Sequence, residues 1–282
     1  MKKVFLIGSK GMAGHVIYHY LKEKTDFKVV DVARGSDFFE PTYSLDITDF
    51  DQLKSILKKE SPDVVINCIG ILNRDAEDNP DKAILLNSYL PHFVAGVGKE
   101  LGFKLIHIST DCVFNGKKGN YTLTDPKDGT GFYAQTKALG EVTYGENLTL
   151  RTSIVGPELK NDGIGLFHWF MQQHGEIKGY TQAFWTGVTT IELAKAIVAA
   201  IDQNIKGLHH LVYGEKISKY DLIDLFRIVF DRDVQIKPFG DYHIDKSLVK
   251  DNSGFNYDVP SYKKMVEEMQ KWMLDHKSLY NY

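Results

Sequence analysis

The 282-residue sequence predicts an α/β fold in which a doubly wound parallel sheet carries a smaller C-terminal lobe. Short apolar segments alternate with segments of helical periodicity, which is typical of a parallel sheet covered by helices on both faces. The length suits one large domain with an appendage rather than two large domains. We expect residues 1–156 to form the sheet domain and residues 157–282 mainly the lobe, with some of its segments returning to the first domain.

The predicted strands of the first domain are short, apolar and bounded by glycine or turn residues. Gly8 ends the first of them, and Ser61-Pro62-Asp63 forms a turn before the third. Because they are apolar on both faces, they suit a sheet that is buried on both sides. The predicted strands cover residues 4–7, 27–32, 64–69, 105–109 and 148–151.

Three helices are predicted between these strands. Apolar residues at helical spacing indicate the first, and Thr48 with Asp51 three residues later predicts a capped start for the second. The third carries Pro91 in its interior, which implies a break near Tyr89. These helices cover residues 13–24, 48–59 and 79–102.

Beyond residue 156 the alternation of strands and helices is less regular. A β-like segment at residues 208–213 separates segments of helical periodicity. In the final helix, Met265, Met269 and Trp272 are expected to pack in the core. The predicted helices cover residues 163–174, 191–201 and 219–230 and a C-terminal stretch from Ser261.

The composition argues against several functional classes. A net charge of −3 gives no basic excess for nucleic acid, and no His/Cys spacing indicates a metal site. Cys68 and Cys112 are expected to be buried thiols in a reducing compartment. We identify no secretory signal and no apolar stretch long enough to span a membrane, so a cytoplasmic location is expected.

A glycine-rich turn joins the first strand to the first helix. Gly8, Gly11 and Gly14 are spaced G-x-x-G-x-x-G, and Met12 and Ala13 lie between the last two. A tight turn with bare backbone at a helix N-terminus favours an anion such as a pyrophosphate. Glycines also end strands for structural reasons, but the strand–turn–helix context favours a Rossmann-type dinucleotide site and a dinucleotide-binding first domain.

Charged residues after the second strand bear on the choice of dinucleotide. Asp31, predicted to end that strand, would hold a ribose 2′-hydroxyl and favours NADH, whereas Arg34 would accept a 2′-phosphate and favours NADPH. The two cannot be separated from the sequence. Asp46 and Ile47, near the predicted end of the third strand, are candidates for adenine contact, and the alternative for Asp46 is that it merely begins a turn.

The candidate catalytic residues are two hydroxyl groups and a lysine. Tyr133 and Lys137 stand at i and i+4 on one helical face, where an ammonium would lower the tyrosine pKa and suit it to general acid catalysis. Thr110 follows a buried strand and could donate to a substrate carbonyl. Asp111 could bind a sugar hydroxyl or tune the proton relay, the alternative being a turn cap.

These motifs together resemble the extended short-chain dehydrogenase/reductases, and within them the dTDP-4-dehydrorhamnose reductase branch. The most discriminating pieces are the Ser-Thr-Asp-Cys-Val-Phe stretch from Ser109 and the Arg-Thr-Ser stretch from Arg151. The resemblance covers roughly the whole chain and is stronger up to residue 156. The motifs that carry it are residues 8–14, 67–70, Asn87, 109–114, Tyr133 with Lys137, and 150–153.

The resemblance implies a function and a set of site residues. Thr110, Tyr133 and Lys137 would be the catalytic triad, and hydride would pass from NADPH or NADH to C4 of a nucleotide-linked 4-keto-6-deoxy sugar while Tyr133 protonates the oxygen. Asp111 would touch the sugar. The residues implied to line the cofactor are Gly11, Met12, Ala13, Asp31, Asp46 and Ile47.

Two departures from the branch pattern fall on the sugar side of the site. Ile154 replaces an aromatic residue, and residues 183–188 lack an expected proline. The substrate could therefore be dTDP-4-dehydrorhamnose or a UDP-linked 4-keto-6-deoxy sugar, with or without an N-acetyl group. Trp185, in the second segment, could stack on a sugar or base, and the alternative is a core tryptophan.

Two other functions remain open at this point. A nucleotide-sugar 4-epimerase would oxidise and re-reduce its substrate on one tightly held NAD. A regulatory subunit of the methionine adenosyltransferase type would keep the nucleotide fold and act through protein contacts. The residues Thr110, Tyr133 and Lys137 favour an enzyme. A homodimer is expected, with neither nucleic acid nor membrane as a partner.

Overall fold

Seven strands in the described part of the chain form one parallel sheet in the order β11-β6-β5-β4-β1-β2-β3. The computed structural model describes residues 1–35, 37–251 and 254–282. The strands in chain order are β1 (Lys3–Ile7), β2 (Lys28–Ala33), β3 (Tyr43–Ser44), β4 (Val64–Asn67), β5 (Lys104–Thr110), β6 (Leu148–Thr152), β7 (Ile154–Val155), β8 (Gly175–Tyr180), β9 (Ala183–Trp185), β10 (Val188–Thr189), β11 (Gly207–His210), β12 (Ile217–Ser218), β13 (Val234–Phe239) and β14 (Ile244–Asp245).

Helices cover the sheet on both faces. A π-helical segment, Ile84–Tyr89, joins two of them, and short 3₁₀ segments occupy Asp111–Val113 and Lys277–Leu279. The α-helices are α1 (Met12–Lys24), α2 (Phe50–Glu60), α3 (Asn73–Asp78), α4 (Pro80–Ala83), α5 (Leu90–Leu101), α6 (Gly131–Leu139), α7 (Leu166–Met171), α8 (Thr190–Asp202), α9 (Lys219–Val229) and α10 (Tyr262–Asp275).

The strand order confirms the predicted Rossmann-type doubly wound sheet. The order reverses between β1 and β4, and in open α/β sheets ligands bind beyond the strand ends at such a point. On the far edge, β11 pairs with β6, with Gly207 opposite Leu148. A segment after residue 156 therefore returns to the first sheet, as expected, while the division of the chain at that residue stays a prediction.

Strand β1 shows how the sequence builds two cores. Val4 and Leu6 belong to the apolar cluster on one face of the sheet, and Phe5 and Ile7 belong to the cluster on the other. This division follows because successive side chains of a strand point to opposite faces of the sheet. All four side chains are fully buried. Burying each of these side chains stabilises the fold by about 1.5–3 kcal/mol. Because β1 is anchored on both faces of the sheet, the turn that follows it is held in place.

Several element boundaries differ from the predicted ones. Asp49, and not Thr48, caps α2, because its carboxylate accepts from the backbone N–H of Gln52 at 3.0 Å. The helix predicted over residues 163–174 is confined to α7, and the residues before it form a loop. Met265, Met269 and Trp272 of α10 are buried, as expected.

Pro91 does not break the chain into two separated helices. The helical backbone continues from α4 through the π-helical segment into α5, and Pro91 occupies the first turn of α5. Pro91 has no N–H group to donate within the helix, and the wider turn of the π-helical segment lets the helical backbone continue up to it. The turn carries Asn87 into the interior, where its side chain is fully buried.

Neither a membrane span nor a metal cluster is found in residues 1–35, 37–251 and 254–282. None of the helices there combines the length and the apolar character needed to cross a bilayer. The same residues contain no group of three or more His, Cys, Asp and Glu side chains arranged to hold a metal ion. The cytoplasmic location and the homodimer stay predictions.

Candidate active site

A cleft of about 710 Å³ opens at the carboxyl ends of β1, β4, β5 and β6. It lies where the strand order reverses, and its outer wall is formed by a loop and helix from the second half of the chain. Residues from the glycine turn, the segment after β4, the end of β5 and α6 face it. The candidate site residues that line it are Gly11, Met12, Ala13, Thr110, Asp111, Tyr133, Lys137 and Trp185.

The three glycines of the turn have different physical roles. Gly8 has a φ of +88°, a conformation that favours glycine. A Cβ on Gly14 would overlap the carbonyl oxygen of Gly8, so α1 packs directly against the turn. A Cβ on Gly11 would meet only that same oxygen, at 3.5 Å. Gly8 and Gly14 therefore shape the turn, and Gly11 exposes bare backbone to the cleft.

Asp31 does not occupy the position predicted for it. Strand β2 continues to Ala33, so Asp31 lies inside the strand and is fully buried. Its carboxylate accepts from the Ser9 hydroxyl at 2.5 Å, and from the Thr42 backbone N–H at 2.9 Å and hydroxyl at 2.7 Å. With both oxygens engaged, Asp31 fixes the glycine turn to the segment after β2 and presents no surface to a ribose.

The other residues predicted on the adenosine side lie outside the cleft lining. Asp46 is exposed, and hydrogen bonds from the Thr48 backbone N–H and hydroxyl, with a contribution from the Arg34 charge, hold its pKa below the usual value. This is the geometry of a residue that begins a turn. Ile47 is buried in the core, and Arg34 is exposed. Lys10, which the sequence did not single out, does line the cleft.

The three predicted catalytic residues come together in the cleft. Thr110 ends β5, accepts from the backbone N–H of Cys112 at 3.1 Å and donates to Asp111 at 3.1 Å. Tyr133, near the start of α6, lines the same cleft as Thr110. Lys137 lies one helical turn beyond Tyr133 and donates to the carbonyl oxygen of Ile108 at 2.7 Å.

The protonation of this group differs from the sequence expectation. Burial, with the nearby Cys112 thiol, raises the pKa of Tyr133 above its usual value, and the influence of the Thr110 hydroxyl offsets this only in part. Burial also lowers the pKa of Lys137 to about 8. The expected lowering of the Tyr133 pKa is therefore wrong, because burial dominates the shift.

Asp111 and the two cysteines also face the cleft. Asp111 is buried, and burial raises the pKa of its carboxyl against the opposing charge of Lys246. Thr110, not Asp111, caps the 3₁₀ turn that follows. Cys68 and Cys112 are free thiols, as expected, but both are partly exposed in the cleft rather than buried. Burial still raises the pKa of Cys68 to about 12 and that of Cys112 to about 11.

Asn87 connects two walls of the cleft. Its amide oxygen accepts from the Ile71 N–H at 2.8 Å, and its amide nitrogen donates to the Ile71 carbonyl at 2.9 Å and to the Thr136 hydroxyl at 3.1 Å. Ile71 belongs to the segment after β4, and Thr136 is on α6 between Tyr133 and Lys137. The buried amide therefore holds α6 to the neighbouring cleft wall.

A buried ion pair supports the strands behind the site. Glu141 accepts from Arg151 Nε at 2.8 Å and Nη2 at 2.7 Å, and from the Ser109 hydroxyl at 2.7 Å. Arg151 is 1% exposed, and its remaining donor contacts Nε2 of His210 at 3.0 Å. The arginine of the Arg-Thr-Ser motif thus ties β5, β6 and β11 together and does not face the substrate side.

Two tryptophans border the cleft in different ways. Trp185 is only 4% exposed and packs on the Tyr262 ring with centroids 5.7 Å apart, which supports the alternative of a core tryptophan. Trp169 on α7 is 38% exposed and lines the cleft together with Gln172. The sequence did not single out Trp169, since one tryptophan in a helical segment gives no signal of its orientation.

The sheet, the glycine turn at its switch point and the Tyr-x-x-x-Lys pair define an extended short-chain dehydrogenase/reductase. Residues 1–241 match the family described as RmlD substrate binding domain. The match covers most of the sequence, so the chain belongs to that family.

Individual relatives agree with this assignment. The chain is 26% identical over 236 residues, 76% of this chain and 79% of the relative, to a probable low-salt glycan biosynthesis reductase, Agl14, of Haloferax volcanii. It is 30% identical over 185 residues, 61% and 60% of the two chains, to dTDP-4-dehydrorhamnose reductase of Mycobacterium tuberculosis. It is also 25% identical over 244 residues, 78% and 70%, to methionine adenosyltransferase 2 subunit beta of Bos taurus.

A solved structure has the same fold. The dTDP-4-dehydrorhamnose reductase of Bacillus anthracis in complex with NADP superposes with a TM-score of 0.82 at 20% identity, covering 96% of this chain and 99% of that one. The predicted resemblance to this reductase branch is confirmed, and so is the predicted class, an NAD(P)-dependent oxidoreductase.

Proposed function

We propose that the protein is an NAD(P)H-dependent reductase of a nucleotide-linked 4-keto-6-deoxy sugar. The observation that carries this proposal is the meeting of Thr110, Tyr133 and Lys137 in one cleft with the glycine turn. A reductase of this kind needs a dinucleotide, a proton donor and a pocket for the carbonyl within reach of each other.

The residues at one end of the cleft suit a dinucleotide. Gly11, Met12 and Ala13 present bare backbone and the first N–H groups of α1, whose orphan donors favour the pyrophosphate. A Cβ on Gly70 would lie 3.9 Å from Nζ of Lys137, so open backbone also adjoins the lysine, on the side proposed for the nicotinamide ribose. The reduced nicotinamide, when bound, supplies the hydride for the carbonyl carbon.

Tyr133 is proposed as the proton donor. Because burial keeps its pKa high, the phenol is protonated at neutral pH and can give its proton to the carbonyl oxygen. The Thr110 hydroxyl orients that oxygen, and the Lys137 charge favours the phenolate that remains. The C4 carbonyl gains one hydride and one proton and becomes a hydroxyl group.

The sugar and nucleotide are proposed to bind at the other end of the cleft. Asp111 can bind a sugar hydroxyl, Trp169 offers an exposed ring, and Lys160 and Lys219 supply positive charge near a diphosphate. Ile154 also lines this part of the cleft. The substrate class is dTDP-4-dehydrorhamnose or a related UDP-linked sugar.

A substrate panel tests the proposal. Purified protein is mixed with dTDP- and UDP-linked 4-keto-6-deoxy sugars, and the absorbance of NADH and NADPH is followed separately. We expect stoichiometric consumption of one reduced dinucleotide with at least one sugar, and none with the Tyr133→Phe variant. Absence of consumption with every sugar would contradict a reductase.

The same panel separates the alternatives. A 4-epimerase would convert the sugar without net consumption of NADH and would retain NAD through purification. A regulatory subunit, favoured only by the similarity to the bovine methionine adenosyltransferase subunit, would turn over no sugar and would bind a partner enzyme in stoichiometric amounts. The complete set of hydroxyl and lysine groups in the cleft supports the reductase over that subunit.

A further inference from the structure

Residues 280–282 contact two walls of the cleft from outside it. The Tyr280 hydroxyl lies 3.0 Å from Nε2 of His15 on α1, a residue 265 positions earlier. The Tyr282 hydroxyl accepts from the backbone N–H of Glu158 at 2.9 Å and lies 2.8 Å from Nδ1 of His168. Neither tyrosine lines the cleft, so these contacts act through other residues.

The hydrogen bonds from Tyr280 to the glycine turn have a defined direction. Nδ1 of His15 lies 2.9 Å from the carbonyl oxygen of Gly11, which can only accept, so Nδ1 carries the proton. Nε2 must then accept from the Tyr280 hydroxyl, whose oxygen accepts from Nε1 of Trp272 at 3.0 Å. Burial lowers the pKa of His15 to about 4, so the ring stays neutral in this arrangement at neutral pH.

Holding the Gly11 carbonyl also holds the N–H group of Met12, a residue that lines the cleft. The peptide unit is planar and trans, so the carbonyl of Gly11 and the N–H of Met12 point in opposite directions in one rigid plane. Met12 is the first residue of α1, and its N–H has no partner within the helix. The carbonyl accepts from both the backbone N–H and Nδ1 of His15, and Tyr280 fixes the orientation of that ring.

Tyr282 supports the facing wall in a similar way. The Glu158 carboxylate accepts from the backbone N–H of Gly165 at 2.6 Å and closes a loop whose residues line the cleft. A Cβ on Gly165 would lie 3.1 Å from the sulfur of Met12, so this loop meets the start of α1. Tyr282 thus supports the loop that meets the start of α1, and Tyr280 supports the glycine turn through His15.

We infer that Tyr280 and Tyr282 are positioning residues for the dinucleotide, acting through the glycine turn and the 158–165 loop. This inference rests on the proposed function, since it concerns the same site. Loss of the Tyr280 hydroxyl removes its hydrogen bonds to His15 and Trp272, and loss of the Tyr282 hydroxyl removes those to Glu158 and His168, which leaves these partners free to reorient. We expect each Tyr→Phe change to raise the dissociation constant for the dinucleotide by about 5-fold.

The experiment titrates NADPH and NADH into the full chain by calorimetry and compares three variants. Tyr280→Phe and Tyr282→Phe are the test variants. Tyr257→Phe is the matched control, because Tyr257 is partly buried, donates to the Glu192 carboxylate and lies away from the cleft. All three lose the same atom and can lower the melting temperature, but only the first two should weaken dinucleotide binding.

Steady-state kinetics add a second measurement. The KM for the dinucleotide should rise in both test variants while kcat at saturation stays within about 2-fold of the wild type, since the catalytic hydroxyl groups are untouched. An unchanged dissociation constant for the dinucleotide in Tyr280→Phe overturns the inference for the glycine turn. An unchanged dissociation constant in Tyr282→Phe overturns the inference for the 158–165 loop. An equal rise in Tyr257→Phe overturns both, and a wild type that binds neither dinucleotide overturns the proposed function itself.

Discussion

Lys137 donates a 2.7 Å hydrogen bond to the carbonyl oxygen of Ile108, so this lysine is anchored to the backbone near the carboxyl end of β5. The bond fixes the ammonium at the floor of the cleft beside the strand that carries Thr110. It also places Nζ 3.4 Å from Nε2 of His107, a buried ring whose pKa burial and the Lys137 charge hold well below the usual value. The lysine is therefore a buried cation without a carboxylate partner at hydrogen-bonding distance in the described residues.

The pH dependence of turnover should report the protonation of Lys137. Burial lowers its pKa to about 8, opposed in part by Glu141 and Cys68, so the amine loses its proton as the pH rises through 8. A neutral amine cannot stabilise the Tyr133 phenolate, and kcat should fall on the alkaline side. The measurement is a kcat profile from pH 6 to pH 10. Lys137→Arg should move the fall to higher pH, and a flat profile in the wild type would contradict the assignment.

Removing the proton donor should nearly abolish turnover. Tyr133→Phe leaves the ring to pack but removes the hydroxyl, and general acid catalysis is worth roughly 10²–10⁴-fold in rate. The dissociation constant for the dinucleotide should stay within about 2-fold of the wild type, because Tyr133 is not proposed to hold the pyrophosphate. A variant that kept more than about a tenth of the wild-type kcat would exclude Tyr133 as the acid.

Gly11 and Gly14 should respond differently to a side chain. Gly11→Val places a branched group where the pyrophosphate approaches, and the local backbone tolerates it because the nearest atom is 3.5 Å from a Cβ. We expect weaker dinucleotide binding with an unchanged melting temperature. Gly14→Ala should instead destabilise the fold, because its Cβ overlaps the Gly8 carbonyl. Equal dissociation constants for Gly11→Val and wild type would indicate that the turn is only structural.

Local sequence patterns predicted the parts of the site that depend on local structure. The strand–turn–helix glycines and the i, i+4 spacing of Tyr133 and Lys137 are both contained within a few residues, and Gly11, Tyr133 and Lys137 line the cleft. Asp31 was predicted to end the second strand, but β2 continues to Ala33, and the Asp31 carboxylate is engaged by Thr42, eleven residues away. The contacts of Tyr280 depend on a residue 265 positions away, which no local pattern encodes.

The electrostatics of the site were the hardest part to predict. The spacing of Tyr133 and Lys137 indicates proximity, but the pKa values depend on how deeply each group is buried and on which backbone atoms meet it. Burial dominates for both residues, raising the first pKa and lowering the second. The sequence contains no signal of burial at a single polar residue, so the sign of the tyrosine shift could not be obtained from it.

The preference for NADPH or NADH should depend on Arg34 alone, because the buried Asp31 is not available to the ribose. If the exposed Arg34 side chain meets a 2′-phosphate, Arg34→Ala should weaken NADPH use by about 10- to 150-fold, the worth of roughly 1.5–3 kcal/mol, with little effect on NADH. The measurement is kcat/KM for both dinucleotides. Parallel losses, or none, would remove Arg34 from the site.

Asp31→Ala serves as the contrasting variant for that experiment. The carboxylate is buried and bonded to Ser9 and Thr42, so its removal leaves a buried hydroxyl unpaired and should cost about 1–3 kcal/mol of unfolding free energy. Binding of NADH and NADPH should weaken together because the glycine turn loosens. A selective loss of NADH would instead restore the ribose contact that the sequence suggested.

The Glu141–Arg151 pair should be worth far more than a surface pair. Glu141→Gln leaves the Arg151 charge buried with no opposite charge, and we expect a loss of about 3–5 kcal/mol in unfolding free energy at pH 7. Glu146→Gln is the matched control, because the Glu146–Lys206 pair is exposed and should be worth less than about 1 kcal/mol. Urea unfolding of the two variants and the wild type measures both quantities.

The pH dependence of that difference provides a second test. Burial raises the pKa of the Glu141 carboxyl, but the hydrogen bonds and charge of Arg151, with Ser109 and Lys127, outweigh it and leave the pKa below its usual value of 4.5. A carboxyl whose pKa is lower in the folded state contributes stability above pH 4.5, and that contribution is lost as the pH falls through the folded-state pKa. The stability gap between wild type and Glu141→Gln should therefore be full at pH 7 and shrink below about pH 4.5. A gap of the same size at pH 3 and pH 7 would show that the lost energy comes from side-chain packing and not from the ion pair.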